Sequence, residues 1–178
     1  MNRPIAASLA LLLLSGAAVF AQESPKHSSP KPVTVEIINT RGHSIGTAEL
    51  SQTAHGVKIS LTVRDLPPGP HLMHIHEFPK CEPPDFKSAG PHFNSSGAAA
   101  GNHAPTGVMA GDIPNFVLTV AADGTAHATT IAPYVTLGAG GNSVFTNGGT
   151  SIVIHDVAEQ VSASAPPRIA CGVIKKQE

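Results

Sequence analysis

Val57-Lys58-Ile59-Ser60-Leu61-Thr62-Val63 alternates apolar and polar residues without a break. Successive side chains of a strand point to opposite faces, so Val57, Ile59, Leu61 and Val63 share one face and Lys58, Ser60 and Thr62 the other. The pattern predicts a sheet with one buried face. Upstream, residues 33–38 form a β-branched run that residues 46–50 continue after a turn. Downstream, residues 65–70 read as a Pro/Gly turn and residues 71–78 as the next strand. Residues 116–120 and 125–130 flank Asp123-Gly124, a hairpin signal, and residues 151–155 and 169–174 read as the last two strands. Two segments rich in Gly, Pro and Ser, 80–111 and 156–167, read as long loops, where function concentrates on a rigid scaffold.

Composition agrees. Among 178 residues there are 17 Gly and 16 Pro, which disfavours a helical bundle. The 41% hydrophobic content suffices for one core, and the length suits a single domain. With 11 Lys and Arg against 12 Asp and Glu there is no cationic surplus for phosphate neutralisation, so no nucleic-acid partner is expected. The absence of Trp and a single Tyr argue against a stacking platform for bases or sugars. Histidine is abundant, ten residues, and points to metal.

Residues 1–21 read as a cleaved export signal. Arg3 supplies the positive end, residues 9–14 and 17–20 the apolar stretch, and Ala21 a small residue before Gln22. Ser8, Ser15 and Gly16 interrupt the stretch, which falls short of the ~20 apolar residues of a spanning helix, so no stable membrane span is expected after cleavage. Residues 22–32 form a flexible linker and residues 33–178 the domain, in an exported protein of periplasm or secretion. An oxidising compartment favours pairing of Cys81 with Cys171. Two unpaired buried thiols, or a pair of metal ligands, are the alternatives.

His74 and His76 are one residue apart, so on a strand both imidazoles point to one face and Ile75 to the other. Two neutral imidazoles side by side can hold copper or zinc, although the same spacing suits a solvated strand face. His92, in the loop that Cys81 would tether, and His155, at the end of its strand, add two further candidates.

Five collinear blocks resemble the copper/zinc superoxide dismutase family. They are Gly69-Pro-His71-Leu-Met-His74-Ile-His76-Glu-Phe78, Ser88-Ala-Gly90-Pro-His92-Phe-Asn94, Gly111-Asp112-Ile-Pro-Asn115, Ile152-Val-Ile-His155 and Pro167-Arg168-Ile-Ala-Cys171-Gly-Val-Ile174. The resemblance covers roughly residues 33–174. It implies an all-β fold, a Greek-key β-sandwich or flattened barrel with two long functional loops, an architecture for which this family is a standard example. It implies copper held by His74, His76, His92 and His155, with superoxide as substrate and with dioxygen and hydrogen peroxide as products. It also implies that Arg168 sits beside the open copper position and holds the anion, that Cys81 and Cys171 pair, and that His71 is structural. His92 matches the histidine that the family shares between two metals. His27, His43, His55 and His127 fall outside the motifs and are expected to be solvated.

The zinc half of the pattern is degraded. Counted from His92 and back from Asp112, the two remaining zinc-histidine positions fall on Ala100 and Met109. Asp112 is retained, and His103 is the only nearby substitute, in a Gly/Ala-rich loop. A structural zinc site is normally closed by four ligands, so the resemblance predicts copper and leaves zinc in doubt. Asp112 then becomes the acceptor for the second nitrogen of His92, with Glu159 as the longer-reaching reserve. A copper-holding domain without fast turnover is the alternative function, and Arg168, an anion guide, argues for the enzyme. A homodimer is the assembly left open.

Overall fold

The computed structural model describes residues 30–94, 108–156 and 166–177. The expected export signal, most of the linker, and Ala100, His103 and Glu159 lie outside these residues. Eight strands follow one another: β1 (Val33–Asn39), β2 (Ser44–Thr53), β3 (Gly56–Val63), β4 (Gly69–His76), β5 (Leu118–Val120), β6 (Ala126–Ala132), β7 (Thr150–Asp156) and β8 (Arg168–Ile174). They form a single sheet in the order β5-β4-β7-β8-β1-β2-β3-β6, with every pairing antiparallel. The connections β3–β4 and β6–β7 each cross from one end of that order towards the other. The result is a nearly closed Greek-key barrel.

Alternation decides the interior. Val57, Ile59, Leu61 and Val63 are buried, and β1 contributes Val33, Val35 and Ile37 in the same rhythm. Met73 and Ile75 of β4, Ile152 and Ile154 of β7, and Leu118 and Val120 of β5 complete the main core. Each such side chain contributes roughly 1.5–3 kcal/mol when withdrawn from water.

Three expectations are corrected in detail. β4 begins at Gly69, inside the expected turn. The Asp123-Gly124 turn forms, with Ala121 N–H donating to Thr125 O at 2.8 Å, but no hairpin ladder follows from it. β5 pairs with β4 and β6 with β3, so the turn spans the seam where the two sheet edges meet. Residues 133–149 make a third long excursion, organised by Gln52. Its Oε1 accepts from Thr136 Oγ1 at 2.9 Å and from Leu137 N–H at 2.7 Å.

A second, smaller apolar cluster lies on the outer face of β7 and β8, where Phe86 and Ala89 of the loop meet Val153 and Cys171. The Cys81–Cys171 disulfide joins the loop to β8 at the same place, with Cα atoms 5.6 Å apart and 90 residues between them in sequence. Closing a loop of that length stabilises the fold by roughly 4–5 kcal/mol in the chain-entropy model. The segment after β4 is therefore fastened to the barrel wall at its start.

Candidate metal centre

The odd-numbered residues of β4 fill the barrel, so His74 and His76 project from its outer face. His74 pairs with Val153 of β7 and His76 with Ser151, while His155 faces Leu72, one diagonal step from His74. A bulge between Ile154 and His155 shifts the register against β8 and sets His155 opposite Arg168.

His92 comes from the loop, which is laced along the free edge of β4. Phe93 N–H donates to Ile75 O at 2.8 Å, Ile75 N–H to Gly111 O at 2.9 Å, and Glu77 N–H to Pro91 O at 3.0 Å. His92 thereby pairs with His76 as an isolated bridge. Gly111 is needed for this approach, because a Cβ there would overlap Ile75 O and crowd Phe93 N. The returning segment of the loop then places Asp112 beside His92.

Four rings converge. His74 stacks on His92 with centroids 4.1 Å apart, and His76 lies 5.0 Å from His92 and 5.2 Å from His155. One ring nitrogen of each of the four lies within 4.8 Å of all the others. His76 and His155 are almost fully buried, and His74 and His92 are half-buried.

The opposite nitrogens of three rings are engaged. His76 Nδ1 lies 2.9 Å from Gly90 O, His92 Nδ1 2.7 Å from Asp112 Oδ1, and His155 Nδ1 3.4 Å from Pro166 O. Carbonyl and carboxylate oxygens only accept, so in the neutral rings Nδ1–H donates and Nε2 keeps its lone pair. His74 is the exception: its Nδ1 is buried with no partner. The Nε2 atoms of His76 and His155 stand 3.1 Å apart, and two lone pairs at that distance repel unless a cation lies between them. An orphaned nitrogen and facing lone pairs are what a copper ion would satisfy, and imidazole is a ligand suited to it.

Electrostatics favour the same state. Burial pushes His74 and His76 down to about 3 and His155 to about 4. Neighbouring imidazoles reinforce the shift for His74, whereas the Gly90 carbonyl partly opposes it for His76 and the Pro166 carbonyl for His155. These rings are neutral near pH 7, as ligation requires.

Arg168 lies over this face. One terminal nitrogen donates to Phe86 O at 2.7 Å and the other to Gly90 O at 2.8 Å. Burial lowers the guanidinium from its usual range and the Asp85 carboxylate opposes that, but the group keeps its charge. Its five N–H donors exceed the two used on carbonyls. Gly90 has φ 76° and sits under the Phe78 ring, which a Cβ would strike, so glycine is required where the shared carbonyl turns inward.

The other expected residues fall as follows. His71 is buried, with Nε2 2.7 Å from Pro67 O and Nδ1 3.3 Å from His155 O, a packing role beneath the site. Asp112 bridges, with Oδ1 on His92 and Oδ2 accepting Met109 N–H at 2.8 Å. Met109 is exposed. His43, His55 and His127 are exposed and do not belong to the four-histidine group, and His27 lies outside the described residues. Sequence reasoning did not find the acceptors Phe86 O, Gly90 O and Pro166 O, since every residue carries a carbonyl and no side-chain signal marks these.

Residues 44–174 match the family model described as copper/zinc superoxide dismutase. The chain is similar to superoxide dismutase [Cu-Zn] 2 of Aquifex aeolicus, 43% identical over 93% of this chain and 94% of that one. It is also similar to the extracellular superoxide dismutase [Cu-Zn] of Brugia pahangi, 33% identical over 75% of this chain and 70% of that one. Among solved structures, a superoxide dismutase-like protein from Bacillus subtilis superposes with a TM-score of 0.67 at 31% identity, covering 79% of this chain and 96% of that one.

Proposed function

Because the chain belongs to the copper/zinc superoxide dismutase family, its reaction is the dismutation of superoxide to dioxygen and hydrogen peroxide, and we propose that it runs on copper alone, in an exported compartment. His74 through Nδ1, and His76, His92 and His155 through Nε2, would hold the ion. Bound there, copper would supply the one-electron redox couple that dismutation requires. The observation that carries this reading is the division of ring nitrogens. Three Nδ1 atoms are held by acceptors, and the fourth is buried and unpartnered.

The protein's own groups do the rest. Arg168, fixed by two carbonyls, presents remaining N–H donors to a small anion arriving at this face. The Cys81–Cys171 bridge holds the loop that supplies those carbonyls. Asp112 accepts from His92 Nδ1 and so fixes that ring, the part a zinc ion has in two-metal members, because the partner of the distal nitrogen sets the tautomer and orientation of a ligating histidine. Ala100 and Met109 support the copper-only reading, as neither completes a tetrahedral site of nitrogen and oxygen ligands. The disulfide and the signal-like residues 1–21 support export. The test is metal analysis of purified, copper-loaded protein paired with a superoxide-decay assay. Copper-dependent decay is expected, and copper-loaded protein that leaves superoxide decay at the background rate would overturn it.

A further inference from the structure

A cavity of about 820 Å³ opens on the protein, and none of the four clustered histidines lines it. It lies where the start of β1, the residues after β8 and the 133–149 excursion meet. Lys176 follows the end of β8 and Arg168 begins it. Seven strand residues at ~3.3 Å rise separate the two regions by roughly 20 Å.

Its walls divide by chemistry. Val33 and Leu137 are buried and, with Phe145, give an apolar floor. Lys31, Lys176 and Gln177 stand exposed at the rim. Among the described residues no carboxylate lines it, so the two ammonium groups are not neutralised by a described lining residue. Gln177 donates to Thr34 O at 3.2 Å, which keeps the tail with Lys176 folded back over the cavity. The volume is in the range of sites that enclose a small organic molecule. An apolar floor under a cationic rim complements one ligand class, with a short hydrocarbon body and an anionic head.

We propose that this cavity is a binding site for a single-tailed carboxylate amphiphile of medium chain length, its tail on Val33, Leu137 and Phe145 and its head between Lys31 and Lys176. The inference does not depend on the copper reading, since no residue of either site serves the other.

Calorimetric titration of the copper-loaded protein with dodecanoate, below its micelle concentration, tests it. One saturable site is expected, with at least tenfold weaker binding to dodecyltrimethylammonium, whose head has the opposite charge. The double variant Lys31→Glu/Lys176→Glu should lose at least tenfold in dodecanoate affinity while superoxide decay is unchanged. Both residues are exposed, so folding should survive, and unchanged thermal unfolding will check that. Three results would overturn the proposal: no saturable site, as when residues 22–29 or a second copy fill the cavity; equal affinity for the cationic amphiphile; or undiminished affinity in the double variant.

Discussion

His76 and Arg168 are joined through a single atom: the carbonyl oxygen of Gly90 accepts from His76 Nδ1 at 2.9 Å and from the Arg168 guanidinium at 2.8 Å. The orientation of one proposed ligand and the position of the proposed anion-binding cation thus share one peptide unit. A displacement of that peptide moves both.

Arg168→Lys tests the cation's side of this arrangement, with the Gly90 carbonyl still held by His76. Lysine has three donors on a point ammonium and cannot reproduce the fork that spans Phe86 O and Gly90 O. Superoxide decay per bound copper should fall by about tenfold, one lost charge-assisted hydrogen bond of ~1.4 kcal/mol. Metal content should stay within twofold. A rate unchanged per copper would remove Arg168 from the mechanism.

Asp112→Asn keeps the shape of the side chain and removes its charge. His92 loses an ionic acceptor, and copper affinity should weaken by about 10- to 100-fold, the usual effect of losing such a partner. Competition against a copper chelator measures it. Unchanged affinity together with unchanged superoxide decay would eliminate Asp112.

Metal content should be about one copper and little zinc per chain, because the residual zinc pattern is incomplete. Elemental analysis after dialysis against a weak chelator decides the matter. Stoichiometric retained zinc would show that His103 closes the site.

Gly111→Ala should act at a distance. The new methyl group would overlap Ile75 O, so the β4 edge and the loop must part. We expect a loss of about 2–4 kcal/mol in stability, typical of a forced shift in packed backbone, with weaker copper binding because His92 and Asp112 ride on that contact. Chemical denaturation and chelator competition should move together. A fully stable variant with altered copper affinity, or the reverse, would refute the link.

The metal-free protein should be acid-sensitive. His74 and His76 titrate near 3 and His155 near 4 in the folded state, against 6.5 when unconstrained. Between those values the unfolded chain binds more protons than the folded one, so stability is complete above about 6.5 and falls as pH drops towards 4 and below. Thermal midpoints from pH 7 to 4 should decline with a slope reduced in His155→Gln. A flat profile would contradict the burial of these rings.

Much of this site was legible beforehand, for physical reasons. Period-two spacing places His74 and His76 on one face whatever the fold, and Val57–Val63 alternation gives β3 its sidedness. Asp112 was identified as the acceptor for His92 from the family pattern. The carbonyls of Phe86, Gly90 and Pro166 could not be read, since backbone acceptors carry no residue signature and their direction is set by tertiary docking. The Asp123-Gly124 turn misled because turn chemistry is local, whereas the choice of strand partner on either side is made by the whole barrel. The order of residues 133–149 rests on Gln52, a polar residue from a distant strand, a contact that no local pattern marks.

The lacing of the loop onto β4 has a consequence for solubility. β5 covers only Gly69–His71, so the Ile75 amide and carbonyl would lie on an open sheet edge were Gly111 and Phe93 not bonded to them. Open edges recruit strands from other molecules. The segment that delivers His92 is therefore also the cap that keeps this sheet from growing. A lesion that frees the loop would leave the protein both inactive and self-associating.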